Sequence, residues 1–207
     1  MSKILEFLAD RLSSGRLVIG QVLISEAWRL CHVDDEAKPS LQTFHDPEAA
    51  HKISIWTDEN QYRPLKTAPN LRHGWELRLD ALSEVRLALD LLYPAALGKA
   101  LALHEGRLEP TPLRTFLARQ TGMYAITKKL TNQQAAEVTT ACCHRATRCL
   151  NCILWPIEPG SPSPYTLSPK EILNSEPVPL ICIEPCSLFL GAARAAAKGK
   201  PAEGSED

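Results

Sequence analysis

Six of the seven cysteines fall between Cys142 and Cys186, and this concentration constrains what the chain can fold into more than any other feature. They arrive in two groups. Cys142, Cys143, Cys149 and Cys152 stand close together, and Cys182 and Cys186 follow after a Pro/Ser-rich excursion. A Cys-x-x-Cys pair such as Cys149 and Cys152 places two sulfurs on one side of a tight turn. Thiols arriving from far along the chain then close a tetrathiolate cage around zinc or an iron-sulfur cluster. The fold must therefore bring distant segments to one centre. Cys31 stands apart from the others and reads as a small buried hydrophobe.

The flanking segments say how the thiols are delivered. Thr131 caps a helix from Asn132 to about His144, which carries Cys142 and Cys143 at its C-terminal end. Adjacent helical residues point about 100° apart, so one of the two reads as a ligand and the other as core. Pro185 fixes a turn before Cys186, and Ser187 to Ala197 is an alanine-rich helix. The partial positive charge of its first turn favours an anionic sulfur at Cys186.

Upstream, Ile4, Leu5, Leu8 and Leu12 have helical spacing. Leu17 to Ile24 and Trp28 to Val33 read as strands of a small sheet, and Asp46-Pro47-Glu48 opens a helix. The stretch from Asn60 to Trp75 reads as a loop, with Arg63, Lys66, Arg72 and His73 interleaved with Tyr62 and Trp75. Guanidinium forks beside aromatic faces suit carboxylates or phosphates, so Arg63, Lys66 and Arg72 are candidates for an anionic ligand or partner. The competing reading is that they pin their own loop through carboxylates such as Glu76 or Asp80. Helices follow over Asp80 to Leu92, Ala95 to His104 and from Thr111-Pro112 onward. The expected fold class is α+β and helix-rich. Residues 1–79 form a small α+β domain with the sheet, residues 80–198 a helical cluster-binding domain, and residues 199–207 a disordered acidic tail.

Composition narrows the function. With 207 residues, 44% of them hydrophobic, the chain can bury one core or a core and a satellite. Its formal net charge of -1 offers no global attraction to nucleic acid or to an anionic membrane. The charged opening residues do not match a signal peptide, and no stretch approaches a membrane span, so a cytoplasmic location is expected. In a reducing compartment clustered thiols are ligands rather than disulfides.

Four stretches carry a family resemblance: Tyr62 to Trp75, Tyr93-Pro-Ala-Ala-Leu97, Arg119-Gln-Thr-Gly-Met-Tyr124, and Cys182-Ile-Glu-Pro-Cys186. They resemble the carboxy-terminal half of sirohydrochlorin cobaltochelatase-like proteins, in which a stabilising domain precedes a domain that binds a 4Fe-4S cluster. The resemblance implies that Cys142 or Cys143, Cys149, Cys182 and Cys186 hold the cluster, with Cys152 an additional thiol. Local spacing instead favours Cys152 beside Cys149, and both sets stay open. The family's amino-terminal catalytic domain has no room in this chain. The six histidines, His32, His45, His51, His73, His104 and His144, show no pair at metal-binding helical spacing.

The resemblance thus implies a 4Fe-4S cluster-binding accessory module, redox or structural, linked to tetrapyrrole metal chelation and not catalytic alone. A chelatase subunit or a tetrapyrrole is its implied partner. Two alternatives remain: a structural zinc module, which needs only four of the six thiols, and a cysteine-dependent enzyme, for which His144 beside Cys143 is the local base.

Overall fold

The computed structural model describes residues 2–58, 61–64, 71–143, 151–162, 169–178 and 180–199. In chain order the elements are α1 (Lys3–Arg11), β1 (Leu17–Ile19), β2 (Val22–Ser25), β3 (Arg29–His32), β4 (Gln42–Phe44), α2 (Ala50–Ser54), β5 (Ile55–Asp58), β6 (Gln61–Pro64) and β7 (Trp75–Arg78). They continue with α3 (Leu82–Leu92), α4 (Ala96–His104), α5 (Leu113–Ala118), α6 (Asn132–Cys143), β8 (Asn151–Ile153), α7 (Pro169–Asn174), β9 (Leu180–Cys182) and α8 (Ser187–Ala197). The architecture is α+β, with a small mixed sheet near the start and helices after it. Among the described residues no single helix is long and apolar enough to cross a membrane.

Two compact units divide the chain: Met1–Arg107 with Ser168–Leu180, and Leu108–Leu167 with Ile181–Asp207. The first is built on a five-stranded sheet of order β1-β2-β3-β7-β4, antiparallel except for the β4–β7 pair. Alternate side chains of a strand take opposite faces, and the packing of these strands follows that period. Leu17, Ile19, Val22, Ile24, Leu30 and Leu77 join one core with Leu8 of α1 and with Val85, Leu89 and Leu92 of α3. Val18, Leu23 and Cys31 form a smaller cluster of their own. Cys31 is fully buried there, and burial pushes its thiol pKa up.

Three features differ from the sequence reading. The run Leu17 to Ile24 is a hairpin rather than one strand, because Gly20 takes φ +57° and turns the chain. The boundary expected between 79 and 80 falls instead after Arg107: the apolar stripes of α3 and α4 pack on the sheet, so these helices complete the first core. Trp75, expected to end a loop, is the first residue of β7, 1% exposed and packed in the first core.

Gly20 also sits against a side chain that closes the hairpin. The Gln21 N–H donates to Tyr93 Oη at 3.1 Å, and a Cβ on Gly20 would lie 3.1 Å from the Tyr93 ring. Gly20→Ala therefore combines left-handed backbone strain with overpacking and is expected to destabilise the fold by about 1–3 kcal/mol. Denaturant unfolding of the variant measures this directly.

One buried carboxylate stitches three strands together. Glu76 of β7 accepts from Arg29 Nε of β3 at 2.7 Å, from Arg78 Nε at 2.8 Å and from Thr43 Oγ1 of β4 at 2.8 Å. Burial alone would raise its pKa, but these donors outweigh it and hold the group at about 2. Asp35 is likewise held at about 2: burial opposes ionisation, and the Gly74 N–H, the Lys38 ammonium and His73 overcome it. Carboxyls depressed in the folded state stabilise fully above their unfolded pKa values, and that contribution disappears as pH falls toward 2. Each contributes on the order of 2–3 kcal/mol at neutral pH. Unfolding free energy should drop between about pH 4.5 and pH 2, and Glu76→Gln should flatten that slope while lowering stability at pH 7.

The second unit has its own core of Leu113, Leu117, Leu130, Ala135, Val138, Cys143, Ile153, Trp155, Phe189 and Ala193. Trp155 and Phe189 meet edge to face with centroids 5.4 Å apart.

Candidate metal centre

The cysteine-bearing elements of the second unit are each held by local chemistry. Thr131 and Gln134 form a reciprocal capping box at the start of α6: Gln134 N–H donates to Thr131 Oγ1 at 3.1 Å, and Thr131 N–H donates to Gln134 Oε1 at 3.0 Å. From that cap the helix runs with Ala135 and Val138 inward and ends at Cys143, which is 6% exposed. Cys142 is half-buried and packs against the same core. The buried face of α6 lies against α8.

Cys152 is the middle residue of β8 and is 2% exposed. Strands β8 and β9 form a two-stranded sheet, and just past β8 Leu154 N–H donates to the Cys182 carbonyl at 3.0 Å. Backbone bonds then lock the following segments to the start of α5. Leu113 N–H donates to Pro156 O at 2.8 Å, and Thr111 N–H to Ile183 O at 2.9 Å. Arg114 adds its side chain, reaching Leu130 O, Asn132 Oδ1 and Glu158 Oε1.

Cys182 closes β9 and its thiol donates to the Glu184 carbonyl at 3.0 Å. Cys186 is the N-cap residue of α8, in extended conformation, with its carbonyl accepting from Leu190 N–H at 3.0 Å. Both sulfurs pack against the core that contains Cys143. The structure thus gathers Cys142, Cys143, Cys182 and Cys186 around one core, with Cys152 buried on the strand paired to that of Cys182. Cys149 lies outside the described residues, as does His144.

The donor set fits an iron-sulfur cluster in chemical type, since soft thiolates at element ends are what such a core requires. Two buried donors of this unit, Trp155 Nε1 and Arg194 Nε, have no acceptor among the described residues. A sulfide-bearing anionic core is a group of the kind that offsets such a surplus of donors.

The cationic residues belong to the first unit. Arg63 lies on β6 rather than in a loop, and its side chain, like all of Lys66, lies outside the described residues. Arg72 is half-buried, and its carbonyl accepts from Trp75 Nε1 at 2.6 Å. Glu76, one carboxylate expected to pin this segment, is engaged by Arg29, Arg78 and Thr43. Sequence reasoning missed β4 and β7 here, because each is short and β7 follows directly on a glycine.

Comparison with known proteins divides the chain in the same order. Residues 4–104 match the family described as the DR2241 stabilising domain, and residues 105–195 match the family of 4Fe-4S iron-sulfur cluster binding domains. Among solved structures the chain is similar to DR2241 from Deinococcus radiodurans, with 30% sequence identity, a TM-score of 0.77 and 95% of this chain covered. That structure is described as a multi-domain protein with structural similarity to chelatases and two additional novel domains. The chain spans 40% of its length. No curated protein matches. The chain is thus similar, nearly end to end, to a DR2241-type stabilising domain followed by a 4Fe-4S cluster-binding domain, the pairing that the sequence resemblance implied.

Proposed function

We propose that the protein is a 4Fe-4S cluster-binding accessory module that serves metal chelation into a tetrapyrrole of the sirohydrochlorin type, in company with a chelatase. The observation that carries this reading is the convergence of Cys142, Cys143, Cys182 and Cys186 on one core inside the segment matched to cluster-binding domains. Four thiolates drawn from Cys142, Cys143, Cys149, Cys152, Cys182 and Cys186 hold the cluster. When bound, it supplies a one-electron couple and a covalent cross-link between segments distant in sequence. The chain's own residues do the positioning. The capped helix α6, the paired strands and the N-terminus of α8 fix the ligands, and Trp155 with Phe189 keeps water from the packed side. No catalytic residue is assigned.

Arg63, Lys66 and Arg72 supply the anion-recognising side of the same reading. The macrocycle carries many carboxylates, so cations beside aromatic rings are matched to it in type. Exposed contacts of this kind are individually weak and screened by salt. Titration of sirohydrochlorin at low salt should show binding by the wild type, with affinity reduced about tenfold or more in Arg63→Ala/Lys66→Ala/Arg72→Ala. Equal affinity in both, with folding unchanged, removes this part of the proposal.

A further inference from the structure

The first unit brings together two histidines and an aspartate that no local spacing connects. His32 ends β3, Asp35 lies in the turn that follows, and His73 precedes Gly74 at the entry to β7. The antiparallel pairing of β3 with β7 places these ends side by side. His32 is 1% exposed and Asp35 fully buried, and the His32 and His73 rings lie with centroids 4.0 Å apart. One donor atom from each of the three falls within 4.8 Å of the others.

We propose that His32, Asp35 and His73 form a binding site for a divalent first-row cation of the zinc type, distinct from the cysteine centre. Imidazole with carboxylate suits zinc and its neighbours, whose bonds of about 2.0–2.2 Å require donors to approach somewhat closer than they now lie. The independent sign of a ligand is Nε2 of His32, buried and without a hydrogen-bond partner among the described residues. Leaving such a nitrogen unsatisfied is unfavourable, and a bound ligand removes that cost. Burial, and then the nearby His73, lowers the pKa of His32, which keeps the imidazole neutral as a ligand requires.

Each ring has a carboxylate neighbour. His73 Nδ1 lies 3.1 Å from Asp35 Oδ1, so a cation entering between these two donors takes the place of the proton they share. His32 Nδ1 now accepts from Asp34 N–H at 3.1 Å, and the Asp34 carboxylate lies 3.7 Å away. Binding through His32 Nε2 shifts the imidazole proton to Nδ1, where that exposed carboxylate replaces the amide as its partner. A cation already occupies the neighbourhood: Lys38 Nζ stands 2.6 Å from Asp35 Oδ1. Lys38 is half exposed, so it can swing into solvent and yield its place to a divalent ion.

Competition between Zn²⁺ and a chromogenic chelator, on anaerobically purified full-length protein, tests the site. Wild type should bind Zn²⁺, His73→Ala should weaken that binding about 100-fold, and Lys38→Gln, by removing the competing ammonium, should tighten it severalfold. His73 is 53% exposed, so its loss leaves the core packing intact, and circular dichroism checks this. Should His73→Ala unfold, the Lys38→Gln comparison decides alone. Absence of Zn²⁺ binding, or affinity unchanged in these variants, overturns the proposal; the latter result assigns the zinc to the thiols. Zinc held by thiols does not respond to the His73 or Lys38 substitution, so the variant comparison separates this site from the cysteine centre.

Discussion

Serine in place of Cys186 is expected to strip the cluster from anaerobically purified protein, reducing iron and acid-labile sulfide to a small fraction of wild type. A serine hydroxyl keeps its proton at neutral pH and is a hard ligand, so it replaces a soft thiolate poorly. Cys186 is also fixed in place, as the N-cap residue of α8 packed on the core that contains Cys143. The fold has little freedom to bring another sulfur to that position. Cys31→Ser provides the control. It lies fully buried with Val18 and Leu23 in the first unit, so the substitution should cost about 1–3 kcal/mol in stability and leave iron and sulfide unchanged. The same assay on Cys142→Ser and Cys143→Ser separately decides which thiol at the end of α6 is the ligand. Full iron content in Cys186→Ser would remove that residue from the ligand set.

Removing the iron should loosen the second unit and leave the first folded. Each unit has its own apolar core, and the sheet with α3 and α4 contains none of the clustered thiols. The ligands sit on α6, β8, the end of β9 and α8, segments distant in sequence whose joining costs entropy that metal bonds offset. Strands of three residues have little stability of their own. Amide exchange in β8, β9 and α8 should therefore accelerate by about 100-fold or more in the apo protein, where each 1.4 kcal/mol is tenfold. Exchange in β2, β3 and α3 should stay within a few-fold of the holo protein. Equal protection throughout both forms would show that the cluster has no structural role.

How much of this was legible in the sequence follows from what each signal measures. Helices with apolar stripes, such as α1, α3 and α8, declare themselves through local periodicity, and their observed bounds lie close to the expected ones. The hairpin at Gly20 hid inside an apolar run, since every residue of Leu17 to Ile19 and Val22 to Ile24 is buried and alternation is invisible. β4 and β7 are short, and their parallel pairing depends on partners far along the chain. The domain boundary was misplaced for a related reason: a stripe shows that α3 buries a face but not against which core. The cysteine cluster stood out because thiols are rare and their clustering is itself the signal. His32 and His73 did not, because their proximity comes from the pairing of β3 with β7 rather than from spacing.

The central claim is that these cysteines hold a 4Fe-4S cluster, and metal and sulfide analysis of the anaerobically purified wild type tests it most directly. The account predicts brown protein with about four iron and four sulfide per chain and a broad absorbance that bleaches on reduction. Colourless protein with stoichiometric zinc that Cys186→Ser abolishes, and with neither iron nor sulfide, would contradict it.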